Sequence, residues 1–568
     1  VAKHQSKGNG MARQEEIQSI IPNEIRAATG VELRCRGWGQ EGILRMLENT
    51  IHNGERPEDL IIYGSTGQAA RDWPSYHAIV EQLKKLCDDE TLVVQSGKPV
   101  AVFRSHVGAP RVVAANSNLV PRYAYREEFD RLREEGLTIH GQYTAASWAY
   151  IGSQGIMQGT FETFGACAEK FLGGSLKGCI ALTGGLGGMG SAQPPAIVMN
   201  GGVALIVEID PSRISRRLEN GYINEAFDDF DKAWMQARKF ADNGEAGAFA
   251  LLGNAADVCE RFANASDPRS KPDCITDQTS AHNLLHGYVP SGLSIEEARE
   301  LRKVNPDNYL KRSKETVKRH VKAMLELQSQ GVTVFEYGND LRGAAKDAGL
   351  SNAFDIPSFM PLFIRPSFAV GRGPVRWVLL SGSLKDQEIA DKAAIEMFPE
   401  DKILNTWLRL APKIVPLEGL PARTCWLGYG ARRKLMLKLN DLVAKGDISA
   451  PVAVSRDHLD AGATAFPRRE TENMPDGSDA IGDWPYLNAM LNVSGGADMV
   501  TIHQNGGDIG GSISAGMTVI IDGSARTASR IDRVFTTDPG IGVVRYADAG
   551  VPKAQDFLKN SDIRGNLV

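Results

Sequence analysis

Between about Gly155 and Asn339 the apolar and polar positions follow a repeating scheme. Apolar residues at helical spacing over Gly159 to Phe171 give way to an unbroken apolar run, Cys179 to Thr183. A glycine-rich turn follows, then a second apolar run, Val203 to Glu208. Short apolar runs bounded by glycine predict buried strands, and the wider 3.6-residue period predicts helices. Asn224 to Asp242 reads as one long amphipathic stretch, followed by strands over Ala248 to Leu252 and Cys274 to Asp277. Ser294 and Glu297 have capping-box spacing and open a helical region reaching about Gln330. Val332 to Glu336 predicts a closing strand. Strands alternating with helices predict βαβ units, a parallel sheet and an α/β fold.

The flanks are less regular. Trp38 to Asn49 has helical spacing, and Leu60 to Tyr63 is a short strand running into Gly64-Ser65-Thr66-Gly67. Leu92 to Val94 and Val100 to Arg104 predict two strands joined through Gly97-Lys98-Pro99. From about Ser351 the pattern is again mixed, with glycine- and aspartate-rich loops in DHLDAGATAF and HQNGGDIGGS. The expected organisation is a tail over 1–20, a first part of a core domain over 21–150, a Rossmann-like dinucleotide-binding domain over 151–350, and the second part of the core over 351–568. The middle module is thus inserted in a discontinuous, mixed α/β core domain.

Composition narrows the class. The chain has 568 residues, 23% of them charged and 7% aromatic. No apolar run approaches the ~18 residues of a membrane span. With 64 basic and 69 acidic residues the net charge is -5, which argues against electrostatic binding of nucleic acid. The 59 glycines exceed ordinary usage, as tight turns around a cofactor require. Seven scattered cysteines without a C-x-x-C pair fit neither a disulfide framework nor a zinc site, so no metal is expected and a reducing cytoplasm is.

The sharpest chemical signal is Gly185, Gly187 and Gly190, a G-x-G-x-x-G directly after an apolar strand. Glu208 ends the next strand, 18 residues beyond Gly190, and Arg213 follows. In a dinucleotide fold the first glycine makes the turn and the second admits the pyrophosphate. The third lets helix and strand pack closely, while the acid bonds the ribose 2′-OH. Glutamate at 208 favours NAD over NADP. The competing reading is a glycine-rich turn serving sheet packing alone. An NAD site ordinarily means hydride transfer, yet there is no Ser-Tyr-x-x-x-Lys dyad and no zinc-ligand set. A conventional NAD-dependent oxidoreductase and a non-catalytic binding protein both stay open from these residues.

The segments GSQGIMQGTFETF, TGGLGGMGSAQP, LLGNAA, TDQTSAH, LPARTCWLGYG and RDHLD, with ETENMPDGSDAIGDWPYLNAMLN, closely resemble urocanate hydratase (urocanase). The resemblance is collinear from about Gly37 to Gly550. It implies a homodimeric hydro-lyase of histidine catabolism acting on a small imidazole acrylate. It also implies tightly held NAD+ that serves as an electrophile with no net redox change, water being added to give an imidazolone propionate. Transferred position by position, the NAD contacts it implies are Gly64, Gln142, Gly188, Met189, Gly190, Glu208, Arg213, Asn254 and Ala255. Gln278, Thr279, Ser280, Ala281, His282, Tyr288, Tyr337 and Gly507 complete them. Around the reacting centre it points to Tyr63, Arg376, Cys425 and His503, with Asp457 and His458 nearby.

Residue chemistry agrees with these roles and leaves an alternative at each. Arg376 suits a bidentate clamp on a substrate carboxylate, or a structural ion pair. Tyr63 suits proton donation or orientation of water, or a core tyrosine bonded to backbone. Cys425 can face the nicotinamide or be an inert buried thiol. His458, between Asp457 and Asp460, can be an acid/base held by a carboxylate or part of a loop-bracing network.

The chain departs from the family pattern in loops. His-His-Gly-Gly-Gly becomes His503-Gln504-Asn505-Gly506-Gly507, and the loop Asp508 to Gly516 is one residue shorter, with Ser514 in place of a histidine. Gly-Gly becomes Gly64-Ser65, Asp-His-Leu-Asp-Ser-Gly gains Ala461, and Pro-Asn-Arg-Glu becomes Pro467-Arg468-Arg469-Glu470. Substrate loops change while the NAD fingerprint stays, as a shift toward a ring-substituted urocanate (2-thio or S-methylthio) requires; neutral drift in a true urocanase is the alternative.

Overall fold

The computed structural model describes residues 24–64, 66–505 and 509–565. The expected tail over 1–20, Ser65, and the loop positions Gly506, Gly507 and Asp508 lie outside the described residues. Two compact units form. An inserted unit takes residues 155–366 and 409–414, and a core unit takes the described residues before and after it.

The inserted unit carries an all-parallel six-stranded sheet. Its order is Thr333–Val334, Cys274–Ile275, Ile180–Gly184, Val203–Glu208, Gly247–Leu252 and Glu225–Phe227. Ile180–Gly184 and Val203–Glu208 are buried along their whole length, because helices cover both faces of a parallel sheet. Ile180–Gly184 has its successor on one side and Cys274–Ile275 on the other, so the winding reverses there. Such a switch point opens a crevice at the strands' carboxyl ends.

Two stretches differ from expectation. Asn224 to Asp242 is not one stretch: Glu225–Phe227 pairs as an edge strand on Gly247–Leu252, and the helix begins at Phe230. Asp229 starts that helix by accepting from Lys232 N at 2.9 Å, a competing local structure that amphipathic spacing cannot register. The capping box forms as read, with Glu297 N–H donating to Ser294 Oγ at 3.2 Å and Ser294 N–H to Glu297 Oε2 at 2.8 Å. The helical region it opens is two helices, Ile295–Val304 and Pro306–Ser329, since proline cannot continue the first.

The core unit holds a mixed sheet of nine described strands. From one edge it runs Ala422–Leu427, Gly373–Leu379, Val452–Arg456, Ile513–Ile521, Met499–Gln504, Val112–Asn116, Glu90–Gln95 and Lys98–Arg104, with Thr464–Ala465 paired onto Ile513–Ile521. Val112–Asn116 and Met499–Gln504 are parallel neighbours, which joins strands from the two ends of the chain. Trp38–His52 packs here as a helix buried from Gln40 to Ile51. Its fully buried Arg45 pairs with Glu41 at 2.8 Å and donates to the carbonyls of Gly30 and Leu380.

A second charged assembly braces the unit. Asp538, without exposed surface, accepts from Arg456 Nη2 at 2.8 Å and from the side-chain amides of Asn488 and Asn492, each at 2.9 Å. Arg432 lies 3.7 Å from it and donates to Asp460 at 2.6 Å. Among the described residues no helix is long and apolar enough to cross a membrane.

Candidate functional site

Two sites emerge, one in each unit. In the inserted unit, Gly185 leaves the strand Ile180–Gly184 with φ +90, and a Cβ there would lie 2.6 Å from the Gln278 carbonyl oxygen. At Gly190 a Cβ would stand 2.2 Å from the Gly185 carbonyl oxygen, so only glycine lets the following helix close on the turn. Gly187 and Gly188 are different. A Cβ at Gly188 would meet nothing within 4 Å, and one at Gly187 only Arg213 Nη1 at 3.7 Å. Two glycines are demanded by packing and two leave backbone open, which is the geometry of a cradle for a diphosphate. Met189 between them is 39% exposed.

Beside the turn runs an open cleft with an internal volume of about 230 Å³. Glu208, Arg213, Asn254, Ala255, Thr279, Ser280 and Tyr288 line it, as a dinucleotide site requires. The buried Glu208 carboxylate accepts from Leu186 N at 2.6 Å and Asp210 N at 2.9 Å, and Arg213 sits 3.6 Å away. Its position is thereby fixed at the strand end. Asn254 also caps the helix Ala255–Ala263 by accepting from Ala256 N at 3.0 Å.

Other residues of the expected set stand outside that lining. Gln278 donates to the Tyr337 carbonyl at 2.8 Å, Ala281 is buried and His282 exposed. Tyr337 is stacked on Phe359 with centroids 4.6 Å apart and donates to Thr160 Oγ1 at 3.0 Å. Arg299 and Arg302 line the cleft and went unmarked in the sequence. Their i, i+3 spacing on a helix already located by its capping box is the signal that points to them. Asp277 was also unmarked. It is fully buried at the end of Cys274–Ile275, Oδ1 has no hydrogen-bond partner, and burial raises its pKa to about 7.

In the core unit, Tyr63, Arg376, Asp457, His458 and His503 come together with Tyr143 and Glu470. Tyr63 ends its strand and donates to the Gln142 carbonyl at 2.7 Å, stacked on Tyr150 at 5.3 Å. Gly64 follows with φ +62, where a Cβ would strike Gln142 Oε1 at 2.6 Å, an oxygen that is buried without a partner. Arg376, on the buried strand Gly373–Leu379, donates through Nη1 to the Ala149 carbonyl at 3.0 Å and through Nη2 to Asp457, while its Nε has no hydrogen-bond partner.

His458 is not held by a carboxylate, which removes the first of its two sequence readings. Both flanking aspartates are captured by arginines, Asp457 by Arg376 and Asp460 by Arg432, which are better partners for a buried charge. Both His458 nitrogens are buried without partners. Burial, followed by the charges of His503, Arg456 and Arg376, holds its pKa well below the usual value, so the ring is neutral. The strand Ile513–Ile521 approaches it closely at Gly516, where a Cβ would lie 2.2 Å from His458 Nε2.

His503, 5.2 Å from His458 between centroids, is pushed by burial to about 3. Asn116 Nδ2 donates to its Nδ1 at 3.3 Å, which leaves the proton on Nε2 to reach Thr501 Oγ1 at 2.7 Å. Directly across the sheet is Ser514, whose buried hydroxyl has no partner. Cys425 is wholly buried on Ala422–Leu427, on the same pleat face as Arg423, which pairs with Asp391 at 2.9 Å.

Tyr143 and Glu470 were not marked as functional. Tyr143 is held at φ +32, an unfavourable backbone for a bulky residue, with its hydroxyl buried. Its ring lies 6.4 Å from that of His458. Burial, then the charge of Glu470, raises its pKa. Nothing in the local sequence marks Tyr143, and Glu470 appears there only within a segment and loop compared with the family; its unpartnered buried oxygen is what singles it out.

Comparison with known families gives three matches in chain order. Residues 25–149 match the urocanase N-terminal domain, 152–363 the urocanase Rossmann-like domain, and 366–560 the urocanase C-terminal domain.

Proposed function

The chain belongs to the urocanase family and is thereby a hydro-lyase of the urocanate hydratase type; from that premise we propose that it adds water to urocanate, or to one bearing a 2-thio or S-methylthio ring substituent, as a cytoplasmic homodimer holding NAD+. When bound, NAD+ supplies an electron-poor pyridinium into which substrate ring density can drain without net redox change.

The residues present suit that group. The open backbone at Gly187 and Gly188 would receive the diphosphate under Arg213, and Glu208, fixed by two N–H donors, would accept from a ribose 2′-OH. A 2′-phosphate would meet a buried carboxylate there, which supports NAD over NADP. Two variants separate cradle from packing. G188A is expected to leave the melting of the cofactor-free chain unchanged while lowering the NAD+ retained through gel filtration. G190A is expected to lower both, its Cβ having no room. Equal retention by G188A and the parent would count against the cradle.

The observation that carries the substrate reading is that, among the buried polar atoms without partners in the described core unit, Arg376 Nε, both His458 nitrogens and Ser514 Oγ fall on the residues gathered around this site. Each costs free energy unless a polar ligand satisfies it. Arg376 Nε–H would donate to the carboxylate of an acrylate. A neutral His458 can donate from one nitrogen and accept at the other, as an imidazole ligand needs. Ser514 stands where the family has a histidine, and the smaller side chain supports room for a ring substituent.

The test is loss of near-UV absorbance from urocanate and its 2-sulfur analogues with purified enzyme. The analogue is expected to show the higher kcat/KM, and rapid turnover of urocanate itself would end the substituted-ring reading. NADH absorbance should not rise during turnover; its appearance would favour an oxidoreductase.

A further inference from the structure

Glu470 is 3% exposed and sits in a turn with little freedom to move. Phe466 N–H donates to Thr471 Oγ1 at 3.0 Å, Thr471 N–H to the Phe466 carbonyl at 3.1 Å, and Thr471 Oγ1 to the Asp479 carbonyl at 2.6 Å. The Asp479 carboxylate then accepts from Asn473 N and Met474 N at 2.7 and 2.8 Å. Just upstream, Thr464–Ala465 is paired onto Ile513–Ile521, with Thr464 opposite Ser514. The turn therefore holds Glu470 within electrostatic reach of Asp457 and of Tyr143, whose ring lies 6.4 Å from that of His458.

Its carboxyl is poorly provided for. Oε1 lies 3.3 Å from Arg469 Nε, and Oε2 is buried with no hydrogen-bond partner among the described residues. The charged and titratable groups facing it are Arg469 from its own turn, Asp457 and Tyr143. A fixed, buried acid with one bare oxygen is a cost to the fold unless a ligand or a proton occupies that oxygen.

Hydration moves a proton from water to carbon, and one positioned group can perform both transfers. The other candidates in the cluster are committed or weakly basic. Asp457 is bound to Arg376 and to Leu459 N at 3.0 Å, Asp460 to Arg432, and burial holds both histidines well below the usual imidazole range, which makes them weak bases. We propose that Glu470 is the proton-transfer residue of the hydration. As carboxylate it takes one proton from the attacking water while the remaining hydroxyl forms its bond to the ring carbon. The π electron pair displaced by that bond moves toward the substrate's side chain, where the Glu470 carboxylic acid delivers the same proton to carbon and ends ionised. One water is consumed, nothing is oxidised, and the residue is regenerated. Burial, opposed by Arg469 and reinforced by Asp457, raises Glu470 to about 7, so both protonation states are populated near neutrality.

The inference rests on the hydratase reading above, and the experiment separates the two. With full-length, NAD-loaded protein and whichever imidazole acrylate the parent consumes, E470Q is expected to lose about 10²- to 10⁴-fold in kcat, the usual contribution of acid–base catalysis, with KM changed less than threefold. Its residual rate should lack the pH limb near 7. E470D should recover part of kcat and keep a limb, shifted in position, which a purely structural role would not move. An E470Q kcat within tenfold of the parent, or a limb near 7 persisting in it, would overturn the assignment of Glu470 alone. If E470Q does not fold, an E470D limb that coincides with the parent's also overturns it. A parent inactive on urocanate and its sulfur analogues alike removes the hydratase reading and Glu470's role with it.

Discussion

Alanine at position 376 is expected to lower kcat/KM by about 10²-fold or more, chiefly through KM. Charge-assisted hydrogen bonds are worth roughly 1.5–3 kcal/mol each, and a carboxylate bound through two of them loses both when the guanidinium goes. Arg376 is 3% exposed, its Nε is without a partner, and it is oriented by the Ala149 carbonyl and Asp457. R376K should recover little, because an ammonium cannot reproduce the planar fork. Removal of Arg376 also strips the half-buried Asp457 of its ion-pair partner, so the double variant R376A/D457N is the fair comparison for stability. If R376A and the double variant both keep the parent's KM, Arg376 is only the partner of Asp457 and the clamp is disproved.

The largest loss of stability is expected at Asp538, far along the chain from any loop that differs from the family pattern. Its carboxylate neutralises Arg456, which has no exposed surface, and ties Asn488 and Asn492 to the same point. Breaking a buried pair by deleting one partner costs about 3–5 kcal/mol, since the other charge stays behind. D538A should therefore lower the urea midpoint severely. The effect has a pH signature. Despite burial, Arg456 and Arg432 hold Asp538 at about 2, against about 3.9 for an unfolded aspartate. A depressed acid contributes fully above its unfolded pKa and loses that contribution as pH falls through its folded pKa. The gap between parent and D538A should be complete above pH 4 and narrow toward pH 2. A gap independent of pH would mean that lost packing, not the charge, is responsible.

Much of the inserted unit was legible because its signals are local. Val203–Glu208 is a continuous apolar run in a sheet buried on both faces, and the capping box at Ser294 is satisfied within four residues. The glycine fingerprint was readable because its members lie within six residues directly after a strand, although what crowds Gly185 is the distant Gln278 carbonyl. Glu225–Phe227 was not, because its pairing partner lies beyond an intervening helix and three residues carry no period. The carboxylate-held alternative for His458 fails because adjacency in sequence is a poor guide to hydrogen bonding: its neighbours Asp457 and Asp460 turn to arginines at positions 376 and 432. Tyr143 and Glu470 escaped notice because their significance is an unmet valence inside the fold, created by what packs around them. Family resemblance carried most of the core-unit site, and the geometry added those two.

The pairing of Val112–Asn116 with Met499–Gln504 has a consequence for how the protein is made. Asn116 and His503 are hydrogen-bonded although 387 positions apart. At ordinary elongation rates of about 5–20 residues per second, the early strands wait on the order of 20–80 s for the neighbour that completes their sheet. Throughout that interval an apolar strand edge is bare on the ribosome, ready to template wrong pairings. Yield in the cell should therefore depend on chaperones that shield nascent chains, and slowing translation should lower it.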